Sequence, residues 1–435
     1  MKTSIAAALV CLMSTTMPVS ADAGRVASDI EAPELGRRGG YAVGTAYRDI
    51  MLGQRITLTA AGAEKAARTV GLRFWYPATA AKGVAATYRH TMAMPDKSTH
   101  EVVEEGLAFE GVSAAKGKFP LVVISHGFGG WSEHLSRLGE HLASRGYIVA
   151  AIDHRDMRFD SVPGFMLSFG KVLNDRSLDQ QQIIRKLVDP VFAKGEHSLL
   201  SADNSKIGLI GYSMGGFGAL GTAGAAFDPA GKPFAGLPAE SRSQAVTIDN
   251  QATALVDSVI LIAPWGGQPD NCAWTAEGIA KLKGPTLFIA GDHDDIVNYR
   301  DGVTWLFDNA KGSDRYILLY REALHNIAGN PVDLGDNPSG EAIGYAREPV
   351  WRQERLNQIN QHFVTAFLDL TLKADIAKRA YLDVPTLVAS DGKWPVTFGG
   401  QDWEALASDK QPDYWRGFQR RWAAGLELQH KKAGQ

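Results

Sequence analysis

Short apolar segments alternate with longer amphipathic segments through most of the chain after residue 119. The short segments are apolar on both faces, which is typical of parallel strands covered by helices. They lie at 121–125, 147–152, 207–211, 259–263, 286–290 and 316–320. Helices are predicted at 133–144, 178–188, 214–226, 300–309 and 349–372. This alternation predicts an α/β fold with a mostly parallel central sheet and helices on both faces.

Two segments depart from that alternation. The β-rich segments 55–59 and 70–76 flank a turn rich in Ala and Gly, and they predict an N-terminal antiparallel hairpin. The segment 155–205 is too long for a single crossover, and it holds Phe159 and Phe165 before a helix. We interpret it as an insertion above the sheet, which is either a lid-like pocket wall or a pair of surface helices without a role in substrate binding.

The two ends of the chain differ from its middle. Lys2 precedes an apolar run and then small residues, a pattern typical of a signal peptide and too short for a membrane span. The predicted organisation is a signal peptide at 1–21, a flexible lead-in at 22–40, one α/β domain at 41–380, and a C-terminal extension at 381–435 packed on that domain. The signal predicts export to the periplasm or out of the cell.

Composition excludes several classes of partner. With 48 acidic and 45 basic residues the formal net charge is −3, and no long basic run is present, so neither nucleic acid nor an anionic membrane is expected. No later stretch is long and apolar enough to span a bilayer. Of the two cysteines, Cys11 lies in the predicted signal and Cys272 is alone, so we expect Cys272 to be a small buried side chain.

The strongest motif is Gly-Tyr-Ser-Met-Gly-Gly at 211–216, which places Ser213 between a predicted strand and a predicted helix. Glycines on both sides allow the tight turn that exposes a nucleophilic serine. The N-terminus of the following helix favours negative charge there. A glycine-rich turn with a capping serine is the other interpretation, but the strand before and the helix after favour a nucleophile.

A second motif, Ser-His-Gly-Phe-Gly-Gly at 125–130, follows the first core strand. A turn of this composition and position offers a backbone N–H group to an oxyanion. We predict Phe128 and Met214 as the two backbone donors of an oxyanion hole. His126 precedes the predicted nucleophile in the chain, and we interpret it as structural.

Three aspartates compete for the role of catalytic acid after the strand 286–290. The spacing Gly-x-x-Asp-x-x-Val at 291–297 favours Asp294, with Asp295 second and Asp292 third. An acidic turn of this kind also offers ligands to a cation, which is a weaker interpretation.

His325 is the predicted general base, because it lies in a loop after the strand 316–320 and follows Asp294 along the chain. His362 and His430 also follow Asp294, but they lie in the long helix and in the tail. In such a triad His325 accepts the proton of Ser213, while Asp294 fixes the imidazole tautomer and stabilises the imidazolium.

With these motifs, with Arg-Phe-Trp-Tyr-Pro-Ala at 73–78 and with Ile-Asp-His at 152–154, the chain resembles the α/β-hydrolase superfamily. The order Ser213, Asp294, His325 is the order of that superfamily. Within it, residues 41–372 are similar to the platelet-activating-factor acetylhydrolase and predicted dienelactone hydrolase group. The resemblance implies a carboxylic ester hydrolase that needs neither a metal nor another cofactor.

One departure bears on the substrate. Dienelactone hydrolases use a cysteine nucleophile, and Ser213 stands at that position here. Short-acyl esters, or ester groups in larger apolar or polymeric compounds, are therefore better candidate substrates than a dienelactone.

Two other functions are compatible with the motifs. A serine peptidase or amidase would use the same triad, but about 100 residues before the first core motif are too few for an N-terminal propeller, and no blade repeat is present. A non-catalytic binding module of the same fold usually lacks one triad residue, and all three are present here. Neither His-Glu-x-x-His nor a cysteine pair indicates a metal site.

Overall fold

The computed structural model describes residues 31–94, 97–190, 202–392, 414–419 and 421–435. Parts of four predicted segments lie outside the described residues. They are the signal peptide at 1–21, residues 22–30 of the lead-in, residues 191–201 of the insertion, and residues 393–413 and 420 of the C-terminal extension.

The described part of the chain contains eleven strands and nine α-helices. The strands are β1 Ala42–Thr59, β2 Gly62–Ala78, β3 Val84–Ala93, β4 Thr99–Glu110, β5 Phe119–Ser125, β6 Ile148–Asp153, β7 Ala202–Tyr212, β8 Ser258–Ile262, β9 Thr286–Gly291, β10 Arg315–Tyr320 and β11 Leu426–Lys431. The helices are α1 Ser136–Ser144, α2 Val162–Val188, α3 Met214–Thr222, α4 Ala239–Ala245, α5 Asn250–Thr253, α6 Ala276–Ile279, α7 Thr304–Asn309, α8 Gly340–Ala346 and α9 Gln353–Thr371.

All these strands form one sheet in the order β11-β10-β9-β8-β7-β5-β6-β2-β1-β4-β3. Its centre is parallel, because β5 pairs with β6 and β7, and β7, β8, β9 and β10 pair in succession. Every residue of β5, β8, β9 and β10 is buried, as expected of strands covered on both faces. Two groups of helices cover the sheet, α1 with α9 and α2 with α3. The predicted α/β fold is confirmed.

The antiparallel hairpin of β1 and β2 is also confirmed, and it is much longer than the two predicted segments. It joins the parallel centre through β2, which pairs antiparallel with β6. Three further strands were not predicted. The hairpin of β3 and β4 extends the sheet beyond β1, and β11 adds an antiparallel strand to β10.

Several predicted helices have different bounds. The helix predicted at 178–188 begins at Val162, where Ser161 Oγ accepts a hydrogen bond from Gly164 N (3.3 Å) and Pro163 stands in the first turn. The helix predicted at 214–226 ends at Thr222, close to Gly224 with a φ of +103°. The segment predicted at 300–309 is a π-helical turn, Tyr299–Val303, followed by α7.

The ends of the described chain pack on the domain. Ala32 and Leu35 are buried, and Leu35 N donates to His362 Nδ1 of α9 (3.1 Å), so this part of the predicted flexible lead-in is packed. In the C-terminal extension, Trp415 and Phe418 lie against Phe363 of α9. Within the described ranges, no helix combines the length and apolar character needed to cross a bilayer.

Candidate active site

The turn from β7 into α3 carries Ser213 in a strained conformation, with φ +53° and ψ −115°. The glycines around it are required by close backbone approaches. A Cβ atom on Gly211 would lie 2.3 Å from Gly215 O, and one on Gly215 would lie 2.1 Å from Ser125 O. Ser213 N donates to Ile262 O (2.9 Å), which holds the turn against β8. The sequence therefore forms a sharp elbow with the serine at its tip.

The structure brings the three predicted triad residues together. His325 Nε2 lies 3.0 Å from Ser213 Oγ, and His325 Nδ1 lies 2.7 Å from Asp294 Oδ2. The side chain of Asp294 is fully buried, and its Oδ1 accepts hydrogen bonds from the backbone N–H groups of Ile296 (3.0 Å) and Val297 (3.1 Å). A carboxylate at Nδ1 favours the tautomer with its proton there, so Nε2 is left to accept the serine proton.

Neither of the other two aspartates of this turn contacts His325, although Asp295 lines the same cavity as Ser213. Asp292 Oδ1 lies 2.7 Å from His293 Nδ1 and accepts a hydrogen bond from Glu322 N (2.6 Å). Asp295 is exposed. Among the described residues, no group of three His, Cys, Asp or Glu side chains is placed to hold a metal ion.

Two residues outside the predicted triad and oxyanion donors, Tyr212 and Glu348, hold the His325 loop. The ring of Tyr212 stacks on His325 at 5.3 Å between centroids, and its hydroxyl donates to His325 O (3.2 Å). Glu348 Oε2 accepts a hydrogen bond from Leu324 N (3.0 Å). Burial raises the pKa of Glu348, and burial together with the charge of Asp294 raises the pKa of Tyr212. Tyr212 stands inside the serine motif, whereas no local pattern marks Glu348.

The turn Gly127–Gly130 lies beside the serine. A Cβ atom on Gly127 would come within 3.2 Å of Ser213 Cβ, and Gly129 has a φ of +68°. Met214 is the first residue of α3. Within the described part of the chain, neither Phe128 N–H nor Met214 N–H has a hydrogen-bond acceptor. Neither predicted oxyanion donor is therefore engaged by another group of the described chain.

A cavity of about 500 Å³ opens at Ser213 and His325. Its wall is largely apolar and includes Phe128, Trp131, Tyr212, Ile296 and Tyr345. No Lys or Arg is among the described residues that line it. Asp295 supplies a carboxylate to the lining, so the cavity suits a ligand that has an apolar part and no negative charge.

Aromatic side chains of the predicted insertion border the same turn. The ring of Phe128 contacts Phe159, Phe165 and Phe169 at centroid distances of 5.8, 5.8 and 5.7 Å. Phe159 is 45% exposed and Phe165 is 37% exposed, so this cluster reaches the protein surface. Phe159 and the N-terminal part of α2 thus form an apolar surface beside the Gly127–Gly130 turn.

A second Ser-His-Asp array lies close by, and its surroundings distinguish it from the first. His154 Nε2 is 2.8 Å from Ser125 Oγ, and His154 Nδ1 is 2.8 Å from Asp179 Oδ2. Ser125 and Asp179 are 0% exposed, and His154 is 1% exposed. Asp179 also pairs with Arg55 and with Arg68 Nη2. A substrate cannot reach this array, whereas Ser213 and His325 line the open cavity.

Comparison with known proteins gives two overlapping family matches. Residues 36–161 match the family described as platelet-activating factor acetylhydrolase, isoform II. Residues 106–342, more than half of the chain, match the dienelactone hydrolase family.

Similar individual proteins cover the chain to very different extents. Platelet-activating factor acetylhydrolases from Cavia porcellus and Canis lupus familiaris are 51% and 56% identical to it over 39 residues, which is 9% of this chain and 9% of theirs. A solved ferulic acid esterase from Streptomyces cinnamoneus is 21% identical, with a TM-score of 0.54, over 79% of this chain and 94% of that chain. The likeness to the esterase shows the fold, and the extent of the family match shows that the chain belongs to the dienelactone hydrolase family of the α/β-hydrolase superfamily.

Proposed function

We propose that the protein is a serine carboxylic-ester hydrolase with Ser213 as nucleophile, His325 as general base and Asp294 as the residue that orients His325. The observation that carries the proposal is the chain of two hydrogen bonds, 3.0 Å and 2.7 Å long, from Ser213 Oγ through His325 to Asp294 at an open cavity. The matches to the dienelactone hydrolase and acetylhydrolase families support ester hydrolysis.

In the first half of the proposed reaction, Ser213 Oγ attacks the ester carbonyl carbon while His325 Nε2 takes the serine proton. The carbonyl oxygen becomes an oxyanion, which accepts hydrogen bonds from Phe128 N–H and Met214 N–H. The intermediate then collapses. The alcohol leaves with the proton from His325, and the acyl group stays on Ser213.

In the second half, His325 takes a proton from a water molecule, and the hydroxide attacks the acyl carbon. The same two N–H groups hold the second oxyanion. The carboxylic acid leaves, the proton returns from His325 to Ser213 Oγ, and the free enzyme is restored. Apart from the ester and one water molecule, the two half-reactions use only Ser213, His325 and the two N–H groups.

The proposed substrate is an ester without negative charge that has an apolar acyl or alcohol part. A carboxylate on the substrate would find no cationic partner among the described residues of the cavity wall, and its loss of water would be uncompensated. Aromatic walls favour an apolar part by removing its surface from water. The proposed place of action is outside the cytoplasm, through the predicted signal at 1–21.

The test is hydrolysis of p-nitrophenyl esters from acetate to long acyl chains, by the protein and by Ser213→Ala. We expect the variant to lose turnover on every ester, by a factor of the order of 10⁶, because no other group in the cavity replaces the nucleophile. The acyl chain length with the highest kcat/KM shows how long an acyl group the cavity accepts.

Ser125→Ala is the matched control, since Ser125 also belongs to a Ser-His-Asp array but is buried. It should keep most of the turnover. A fluorophosphonate should label Ser213, as located by peptide mass spectrometry, and leave Ser125 unmodified. Absence of turnover on every ester together with absence of label would overturn the proposal in favour of a non-catalytic binding module. Label without ester turnover would point to an amide substrate.

A further inference from the structure

The direction of Phe128 N–H depends on two peptide groups. A peptide unit is planar and trans, so the carbonyl of Gly127 and the N–H of Phe128 point in opposite directions. A contact that holds Gly127 O therefore also aims Phe128 N–H. The next peptide group, between Phe128 and Gly129, fixes the other side of the Phe128 Cα atom.

A buried ion pair contacts both of these peptide groups. Arg176 Nη2 of α2 lies 2.6 Å from Asp156 Oδ2 and 3.4 Å from Gly127 O. The same Asp156 Oδ2 accepts a hydrogen bond from Gly129 N at 2.9 Å. The two side chains are only 1% and 7% exposed, so solvent screens their attraction weakly. The pair thus holds the peptide before Phe128 through its oxygen and the peptide after it through its nitrogen.

His126 supports the same carbonyl from another side. Its Nε2 accepts a hydrogen bond from His154 N (3.1 Å), so the ring proton lies on Nδ1, which donates to Gly127 O (2.6 Å). Burial and the nearby charge of Arg176 lower the pKa of His126, which keeps the ring neutral. Gly127 O therefore receives donors from His126 and Arg176, in addition to Gly130 N at 3.3 Å.

A contribution to folding stability does not explain the position of Arg176. Its Nε and Nη1 are buried and have no hydrogen-bond partner within the described residues. Buried donors without partners destabilise a fold, and so does a buried charge with a single counter-ion. The close approach of α2 that brings Arg176 to the turn depends on Gly218 of α3, where a Cβ atom would lie 2.7 Å from Arg176 Cγ. The close packing of the two helices thus places the Arg176 guanidinium at the turn.

We propose that Arg176 and Asp156 are positioning residues that hold Phe128 N–H in line with the oxyanion. The proposal rests on the proposed esterase function. Neither residue touches the substrate, and both act through the Gly127–Gly129 backbone. Helix α2, the main element of the predicted insertion, then serves the reaction through its buried C-terminal half as well as through its aromatic N-terminal part.

The experiment compares Arg176→Met, Asp156→Asn and the double variant with the unaltered protein, using the best p-nitrophenyl ester. We expect kcat to fall by about tenfold to a hundredfold with KM nearly unchanged, less than the 10²–10³ seen when an oxyanion donor is removed outright. An arylboronic acid, which becomes tetrahedral on binding to the Ser213 oxygen, should lose affinity by a similar factor. Arg176→Lys should recover only part of kcat, because lysine keeps the charge but its shorter side chain brings the single ammonium less close to Asp156 and Gly127 O.

Arg185→Met is the matched control on the same helix, because Arg185 forms an exposed ion pair with Asp249 (2.9 Å) far from the turn. It should leave kcat and boronate affinity unchanged. Active sites are counted with a fluorophosphonate, so that a smaller folded fraction is not mistaken for a slower enzyme. If Arg176→Met does not fold, Asp156→Asn and the double variant, which leaves no unpaired buried charge, carry the test.

Two failures are distinguishable. If Ser213→Ala abolishes turnover but kcat per active site and boronate affinity survive in the folded Arg176 and Asp156 variants, the positioning role is wrong and the esterase function stands. If the unaltered protein hydrolyses no ester and takes no fluorophosphonate, the proposed function itself is wrong.

Discussion

Asp294 has a hydrogen-bond partner on each carboxylate oxygen, and this separates it from its two neighbours. Its Oδ2 faces His325 Nδ1 at 2.7 Å, and its Oδ1 is held by two backbone N–H groups. Asparagine would keep the shape but present an amide to His325, which favours the wrong tautomer. We therefore expect Asp294→Asn to lower kcat by about 10⁴ with little change in KM.

Asp295→Asn is the comparison variant for that measurement, because Asp295 is the adjacent carboxylate and is exposed at the cavity without contacting His325. It should retain kcat. Steady-state rates of both variants on the same ester decide between the two carboxylates. Equal losses of kcat in the two variants would contradict the assignment of Asp294 as the triad carboxylate of this turn.

At the residue scale, local motifs were enough to predict the residues that converge at the cavity. Ser213, Asp294 and His325 each follow a strand of the parallel sheet, and such positions meet at one edge of the sheet. Arg176 and Asp156 could not be predicted in this way. Arg176 is a charged residue among buried polar residues of α2, and its contact with Gly127 depends on how α2 packs against α3.

At the scale of elements, the strands that are apolar on both faces were predicted well and the strands at the sheet margins were missed. Strand β4 contains Glu101, Glu104 and Glu105, and most of its residues are exposed or half-buried. Such a strand shows neither continuous apolar character nor a clear alternation. Its attachment is tertiary, since Glu140 of α1 accepts hydrogen bonds from Leu107 N and Ala108 N.

Helix α1 also fixes the antiparallel part of the sheet through Trp75, and this contact can be tested at Gly139. A Cβ atom on Gly139 would lie 2.4 Å from the Trp75 ring, which is fully buried and donates from Nε1 to Tyr88 OH (2.8 Å). Alanine would favour the helix by about 1 kcal/mol, but overpacking costs about 1–3 kcal/mol. Because the buried Trp75 ring is fixed by its hydrogen bond to Tyr88 and cannot easily move away from Gly139, we expect overpacking to prevail. Gly139→Ala should then lower the free energy of unfolding in a urea titration.

Gly344→Ala is the opposite case in α8, since nothing lies within 4 Å of the added Cβ atom. There the helix propensity acts alone, and the variant should gain up to about 1 kcal/mol. A Gly139→Ala variant as stable as Gly344→Ala would show that α1 is free to move away from the sheet.

At the scale of the whole molecule, several histidines are buried as neutral rings. Burial lowers the pKa of His126, His141, His154 and His362. Their rings lie in different parts of the domain, between the Gly127–Gly130 turn and α9. When the folded pKa lies below the unfolded value of about 6.5, the unfolded chain binds a proton that the folded protein does not. Acidification below that value therefore favours unfolding of the entire domain.

His362 allows this linkage to be measured away from the active site. It is 0% exposed in α9, its Nδ1 accepts from Leu35 N, and burial with the charges of Arg145 and Arg355 lowers its pKa to about 3. The contribution of the neutral His362 ring to the free energy of unfolding is complete above about pH 6.5 and is lost as the pH falls toward 3. The variant His362→Gln keeps a hydrogen-bond acceptor but does not titrate. Between pH 7 and pH 5, the unaltered protein should therefore lose about 2 kcal/mol of stability relative to His362→Gln. Urea unfolding at both pH values measures the difference.

His293→Gln is the control, because Asp292 raises the pKa of the exposed His293 and its contribution is instead lost as the pH rises. Parallel losses in the unaltered protein and His362→Gln would mean that His362 is already protonated, or exposed, in the folded state.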